Sequence, residues 1–247
     1  MTVIAWALLP GASAGQLATL EVEVEGGPVW LSRNDAEIPN DGTGTRFSIS
    51  DLTGPGPWFA GRVYLTWNLS ATHGVRVLYA PLSVTAVGTL PGPANFAGAT
   101  YSGQTPLEAS YTFNSYRATY RWRFHSSARS RAWVGLTAKV RDASIGLVQG
   151  STNSRKDDVG FVPLIHVAAE RRLGAAWYLS FDADALAGGP GRAIDGTVKL
   201  GYDLDDQWSI RAGYRTVEGG ADVESVYNFA WLHYAAVSIA WSRRSRR

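Results

Sequence analysis

Residues 116–124 read Tyr-Arg-Ala-Thr-Tyr-Arg-Trp-Arg-Phe, and this strict alternation constrains the fold more than any other feature of the chain. A period of two is the signature of a β-strand, whose successive side chains point to opposite faces. One face carries Tyr116, Ala118, Tyr120, Trp122 and Phe124, the other Arg117, Thr119, Arg121 and Arg123. Three environments suit such a strand. In a soluble sheet the aromatic face is core. In a nucleic-acid platform, stacking rings are interleaved with phosphate-binding arginines. In a membrane barrel the rings meet lipid and the arginines line the interior.

The rest of the chain decides among them. Beyond residue 15 the alternation recurs in ten segments: 20–30, 58–69, 75–87, 107–124, 131–147, 160–170, 176–186, 193–202, 208–216 and 227–241. Pro81 interrupts the third, as an edge irregularity would. In the fourth, the apolar residues occupy odd positions up to Phe113 and even positions from Tyr116, which predicts a β-bulge near Asn114–Ser115. The connections alternate: those after even-numbered segments are short, whereas those after odd-numbered ones are mostly longer and rich in Gly, Pro, Asp and Asn. Aromatic residues next to the short turns, among them Trp67, Tyr120, Trp122, Phe124, Trp177, Tyr202, Trp208 and Trp241, mostly lie on the apolar face. A looser second set, Trp30, Phe59, Tyr79, Phe161, Tyr214 and Phe229, falls toward the long connections.

A soluble sandwich has no reason to ring one end of its hairpins with outward aromatics. A transmembrane barrel has one, because Trp and Tyr settle at the headgroup level. The expected fold is therefore all-β: a transmembrane antiparallel up-and-down β-barrel of ten strands, or of eight or twelve if one hairpin has been wrongly split or merged. Termini and short turns are expected in the periplasm and long loops outside the cell. Charged residues make up 18% of the chain, below the roughly 25% of soluble domains, which agrees with a surface that faces something other than water. No apolar run approaches the ~18–20 residues of a spanning helix.

Residues 1–14 contain an apolar run from Val3 to Leu9 followed by Ala12-Ser13-Ala14, which fits a secretory signal peptide without its basic start. This leaves residues 15–241 as one barrel and residues 242–247, SRRSRR, as a basic tail. The net charge of +2 becomes −2 without the four tail arginines, and so balanced a chain is not a general polyanion or nucleic-acid binder. Absence of cysteine excludes disulfides and thiolate chemistry.

At this level the chain resembles the small bacterial outer-membrane β-barrel proteins of the OmpA and OmpW type. The closing segment YNFAWLHYAAVSIAW looks like their terminal strand, and GYRTVEGGADVESVYNFAW like their last long hairpin. The resemblance implies an outer-membrane location, contact with membrane lipid and lipopolysaccharide, and dependence on the barrel-insertion machinery. The chain departs from the group by placing SRRSRR after the last aromatic, Trp241. No motif in the resemblance specifies an activity or a cofactor.

The polar faces then meet in a lumen. Its expected cations are Arg62, Arg76, Arg117, Arg121, Arg123, Lys139, Arg141, Lys199, Arg211 and Arg215, and its carboxylates Glu21, Glu23, Glu25, Glu170, Asp182, Asp184 and Asp195. Buried charges are tolerated chiefly when paired, and barrels of about eight strands are filled by side chains. The leading expectation is a charged, largely filled interior with a structural, small-pore or surface-interaction role. For catalysis His166 is the best base, with Asp182, Asp184 or Glu170 to orient it, and the alternative function is an enzyme acting on lipid A or another envelope lipid. A soluble all-β binding module is the second alternative. The four histidines do not converge on a metal site. Arg33, Arg46, Arg155, Lys156 and Arg192 lie in or beside long loops, where they could touch lipopolysaccharide phosphates or equally be plain solvated loop charges.

Overall fold

The structure is a computed structural model describing residues 19–189 and 191–243; the expected leader and the last four tail residues lie outside these. Its elements are β1 (Thr19–Glu37), β2 (Phe47–Ser48), α1 (Ile49–Thr53), β3 (Trp58–Asn68), β4 (His73–Ala80), β5 (Ser83–Thr89), β6 (Ala94–Phe96), β7 (Ala99–Tyr101), β8 (Pro106–Ser126), β9 (Ser130–Gln149), β10 (Thr152–Arg172), β11 (Trp177–Gly188), β12 (Gly191–Asp203), β13 (Trp208–Val223) and β14 (Val226–Arg243). Every barrel strand pairs antiparallel with its neighbours, and β14 pairs back onto β1. β4 and β5 share one place beside β8. The break at Pro81 costs no register, since Ala80 faces Ser115 and Ser83 faces Thr112. The result is a closed barrel of ten antiparallel staves, and such closure satisfies backbone groups that an open sheet would leave bare.

Outward side chains form an apolar belt. Trp67, Trp177 and Trp208 are exposed, as are Leu136, Val140, Ile165, Val198 and Ile239. Water would penalise this surface heavily, whereas acyl chains would not. Four short turns, residues 69–72, 127–129, 173–176 and 204–207, close one end of the barrel. Just above them Trp177 packs edge-on against Tyr202, 4.8 Å between centroids, and Trp208 faces Trp241 across β13 and β14. Phe229 does not join the second girdle. It is 9% exposed, because the guanidinium groups of Arg192 and Arg33 lie over its ring at 4.8 and 5.9 Å.

The bulge expected at Asn114–Ser115 is absent. β8 keeps one register against β9 from Glu108↔Val148 to Arg123↔Trp133, and shifts only beyond Arg123. Odd residues of β8 point inward throughout, first Leu107, Ala109 and Tyr111, then Ser115, Arg117 and Thr119. What changes at this level is the medium. Above it the wall is apolar inside and polar outside, with outward Glu108 and Thr112; below it the sides are exchanged, with outward Tyr116 and Tyr120. β9 makes the same exchange, its outward Val140 giving way to Asp142 and its inward Arg141 to Ile145. An apolar set that jumps parity thus marks the membrane boundary rather than an extra residue.

The same exchange accounts for misread loops. The stretch 149–158, polar enough to read as a loop, is mostly strand, with only Gly150 and Ser151 between β9 and β10. Residues 217–223 likewise belong to β13. The two long connections that remain, 38–57 and 90–105, fold inward over the barrel mouth. Ser48 caps the short helix α1 by accepting a hydrogen bond from the Asp51 N–H, and α1 inserts Ile49 and Leu52. The β6–β7 hairpin inserts Phe96 and Tyr101, which join Leu31, Leu107, Leu147 and Leu232 in a dry core. Each large side chain so buried contributes about 1.5–3 kcal/mol. Gly88 makes this possible, because a Cβ there would collide with the Leu52 carbonyl oxygen.

Candidate functional site: the charged lumen

Below the apolar cap, inward positions of eight staves bring charges together at membrane level. Asp195 of β12 is the hub: it accepts from Arg62 at 2.9 Å, Arg117 at 2.7 Å and Arg215 at 2.5 Å. Arg215 reaches on to both oxygens of Glu25, at 3.0 and 3.1 Å, and to the Tyr64 hydroxyl at 2.8 Å. Lys199 bridges Glu23, at 2.6 Å, and Glu25. Arg211 contacts Glu23 and holds Glu21 at 3.0 Å and the Tyr178 hydroxyl at 2.9 Å. Asp184 accepts from Arg117, Thr137 and His166 Nδ1 at 2.8, 2.8 and 2.9 Å. Arg76 grips Asp182 with two parallel bonds of 2.6 and 2.9 Å, the strong bidentate geometry of a guanidinium on a carboxylate.

The arithmetic of this layer is informative. Of the ten cations and seven carboxylates expected in the lumen, Arg123, Arg141 and Glu170 stand apart. Arg123 bonds the Ala71 carbonyl at a short turn, Arg141 pairs with Asp158 above, and Glu170 pairs with Arg131 at 2.5 Å below. Eight cations therefore meet six carboxylates. The two in excess, Arg121 and Lys139, have no ion pair among the described residues and lie instead over aromatic rings, Arg121 on Trp133 at 4.8 Å and Lys139 on Phe113 at 4.9 Å. Cation–π contact of this kind is worth ~0.5–2 kcal/mol, less than a buried ion loses on leaving water.

Tyr64, Tyr178, Thr137 and Ser238, which bind this network, were not in the expected set. For Tyr64, Tyr178 and Thr137 the signal was parity, since each shares a strand face with residues that were; β14 carries no expected lumen charge to mark Ser238. The expected interface aromatics are all on the outer face, Tyr202 and Trp241 partly covered. Among the loop cations, Arg33, Arg46, Arg155 and Arg192 each hold a carboxylate, on Asp35, Glu37, Asp157 and Glu218.

Two features bear on chemistry. His166 is fully buried; its Nδ1 donates to Asp184, and its Nε2 has no hydrogen-bond partner and lies 3.9 Å from Asp182. A histidine with two carboxylates resembles a general-base arrangement, here buried within the packed layer. On the short-turn side the lumen widens into a vestibule of about 140 Å³, floored by Arg76, Asp182 and Tyr178. It ends at the ionic layer.

No protein-family model matches the sequence, and no curated protein is similar to it in sequence. Its shape is better matched. The outer membrane protease OmpT from Escherichia coli superposes with a TM-score of 0.58 at 8% identity, covering 91% of this chain and 97% of that one. The fold is that of an outer-membrane barrel. Neisserial surface protein A (TM-score 0.37, 11% identity, 90% and 96% covered) and Ail, the attachment invasion locus protein of Yersinia pestis (0.41, 6%, 91% and 99%), are more distant barrels. At such identities the likeness concerns architecture alone.

Proposed function

We propose that this chain is a non-conducting outer-membrane barrel whose role lies at the cell surface. The observation that carries this reading is the double closure of the lumen, by a packed ionic layer within the apolar belt and an apolar cap above it. Ten staves enclose too little space for an aqueous channel once such side chains fill it. The short turns and termini face the periplasm in this reading, and the extended ends of β8, β9 and β10 form a polar collar outside the cell, among the lipopolysaccharide headgroups.

Outer-membrane fractionation followed by heat-modifiable migration on a detergent gel tests the location, because folded barrels withstand that detergent and soluble β domains do not. Planar bilayers test the closure: the purified barrel is expected to stay electrically silent, and discrete conductance steps would refute it. The alternative, an enzyme acting on envelope lipid, would have to use His166, which is buried within the packed layer. Expression is accordingly expected to leave the lipid A mass spectrum unchanged.

A further inference from the structure

The barrel wall is interrupted at one place. β10 pairs with β9 over nearly its whole length, but with β11 only from Ile165↔Ala185 to Arg172↔Tyr178. Of its 21 residues eight pair with β11, which leaves residues 152–164 facing a gap above the short β11–β12 turn. Pro163, which has no N–H to offer a ladder, sits where the pairing stops.

Exposure follows the gap. The inward residues Leu164, His166 and Ala168 of β10 are buried, whereas Lys156, Asp158, Gly160 and Val162 above them are half-buried. Leu186 has the inward parity of Asp182 and Asp184, yet 40% of it is exposed. Behind the gap lies a cavity of about 340 Å³, within the ~300–1,000 Å³ of small-molecule sites, lined largely by apolar side chains such as Phe113, Ile145, Val162 and Leu186. Outward Phe161 stands at its mouth. Phe161 faces Val140, which faces Tyr116, so the mouth opens at the upper edge of the apolar belt, where acyl chains meet headgroups.

Lys139 lines this cavity. It is 4% exposed and has no hydrogen bond or ion pair among the described residues. A buried ammonium with no anion is held at a desolvation cost, which a bound anion relieves. Arg141 and Arg192 also line the cavity but hold Asp158 and Glu218, and Lys156 lies half-buried toward the rim, so Lys139 is the one buried cation of the lining among the described residues. The apolar walls, the opening toward lipid and this buried, unpaired cation together specify a ligand class. We propose that the notch between β10 and β11 is a binding site for a single-chain anionic amphiphile that enters sideways from the outer leaflet, its acid group against Lys139 and its chain along Val162 and Leu186. The site is compatible with a silent barrel, since the ionic layer closes the lumen below it.

Photolabelling of the full-length barrel in lipid nanodiscs tests this, with diazirine-bearing hexadecanoate, hexadecyl phosphate and hexadecanol as probes and mass spectrometry to map the adducts. The two anions are expected to label residues at the gap at least tenfold more than the alcohol. Lys139→Met should reduce them to the level of the alcohol while leaving heat-modifiable migration intact. Val162→Trp, which fills the cavity, should remove labelling there by all three. Preference for the carboxylate would identify a free acid as the occupant, and preference for the phosphate a phosphorylated lipid. Equal labelling by acid and alcohol, adducts spread evenly round the belt, or full labelling of the Lys139→Met barrel would overturn the proposal.

Discussion

Asp195, itself buried, holds three guanidinium groups within 2.5–2.9 Å. Breaking a buried ion pair from one side costs about 3–5 kcal/mol, because the partner charge is stranded. Asp195→Asn strands parts of three, so the temperature at which the folded gel band is lost should fall by more than in Asp182→Asn, where Arg76 alone loses its grip. Gly201 makes a second test. The Tyr178 ring lies over it, and a Cβ would run into that ring. Gly201→Ala is expected to push Tyr178 off the Arg211 guanidinium and to cost about 1–3 kcal/mol, read from the same loss of the folded band. At this scale the sequence disclosed which side chains enter the lumen, since parity along each strand suffices. It did not disclose who pairs with whom. Arg117 and Asp184 are 67 residues apart and Arg215 and Glu25 are 190 apart, and only the stagger of the closed staves brings them to one height.

Each strand is legible wherever one medium surrounds it. Ten alternating segments were enough to count the staves, and the even number goes with the antiparallel closure of β14 on β1. Legibility fails where a strand leaves lipid for water, because the rule relating polarity to direction reverses there. Residues 149–158 then look like a loop, and the step from Phe113 to Tyr116 looks like a bulge. This reversal sets the expected response to charge on the outer wall. Leu136→Arg, within the belt, should destabilise the folded barrel by about 2–4 kcal/mol, whereas Glu108→Arg, beyond it, should be nearly neutral; unfolding titrations in lipid vesicles compare the two. The short turn after β12 carries a pH dependence of its own. Asp205 accepts from the Gln207 and Trp208 N–H groups at 2.7 and 2.8 Å, and these bonds hold its carboxyl below the ordinary carboxylate range. Its contribution is therefore present at neutral pH, where the folded and unfolded carboxyl are both ionised, and is lost on acidification through the folded-state value. Asp205→Asn should flatten that part of the acid-unfolding profile.

For the whole molecule, the two closures act independently, since the cap is held by apolar contact and the layer below it by charge. Replacing residues 90–105 with a short turn removes Phe96 and Tyr101 from the cap. It should lower the temperature at which the folded gel band disappears, yet leave a planar bilayer silent because the ionic layer still blocks the lumen. The exchange of sides along β8 and β9 has one more consequence, which concerns the height at which the protein rides. Sinking by two residues would drag Asn114 and Asp142 among hydrocarbon tails, and rising by two would lift Tyr116 and Val140 clear of them. The draught of this vessel is thus written into its planks, and a leaflet of another thickness must bend to meet it.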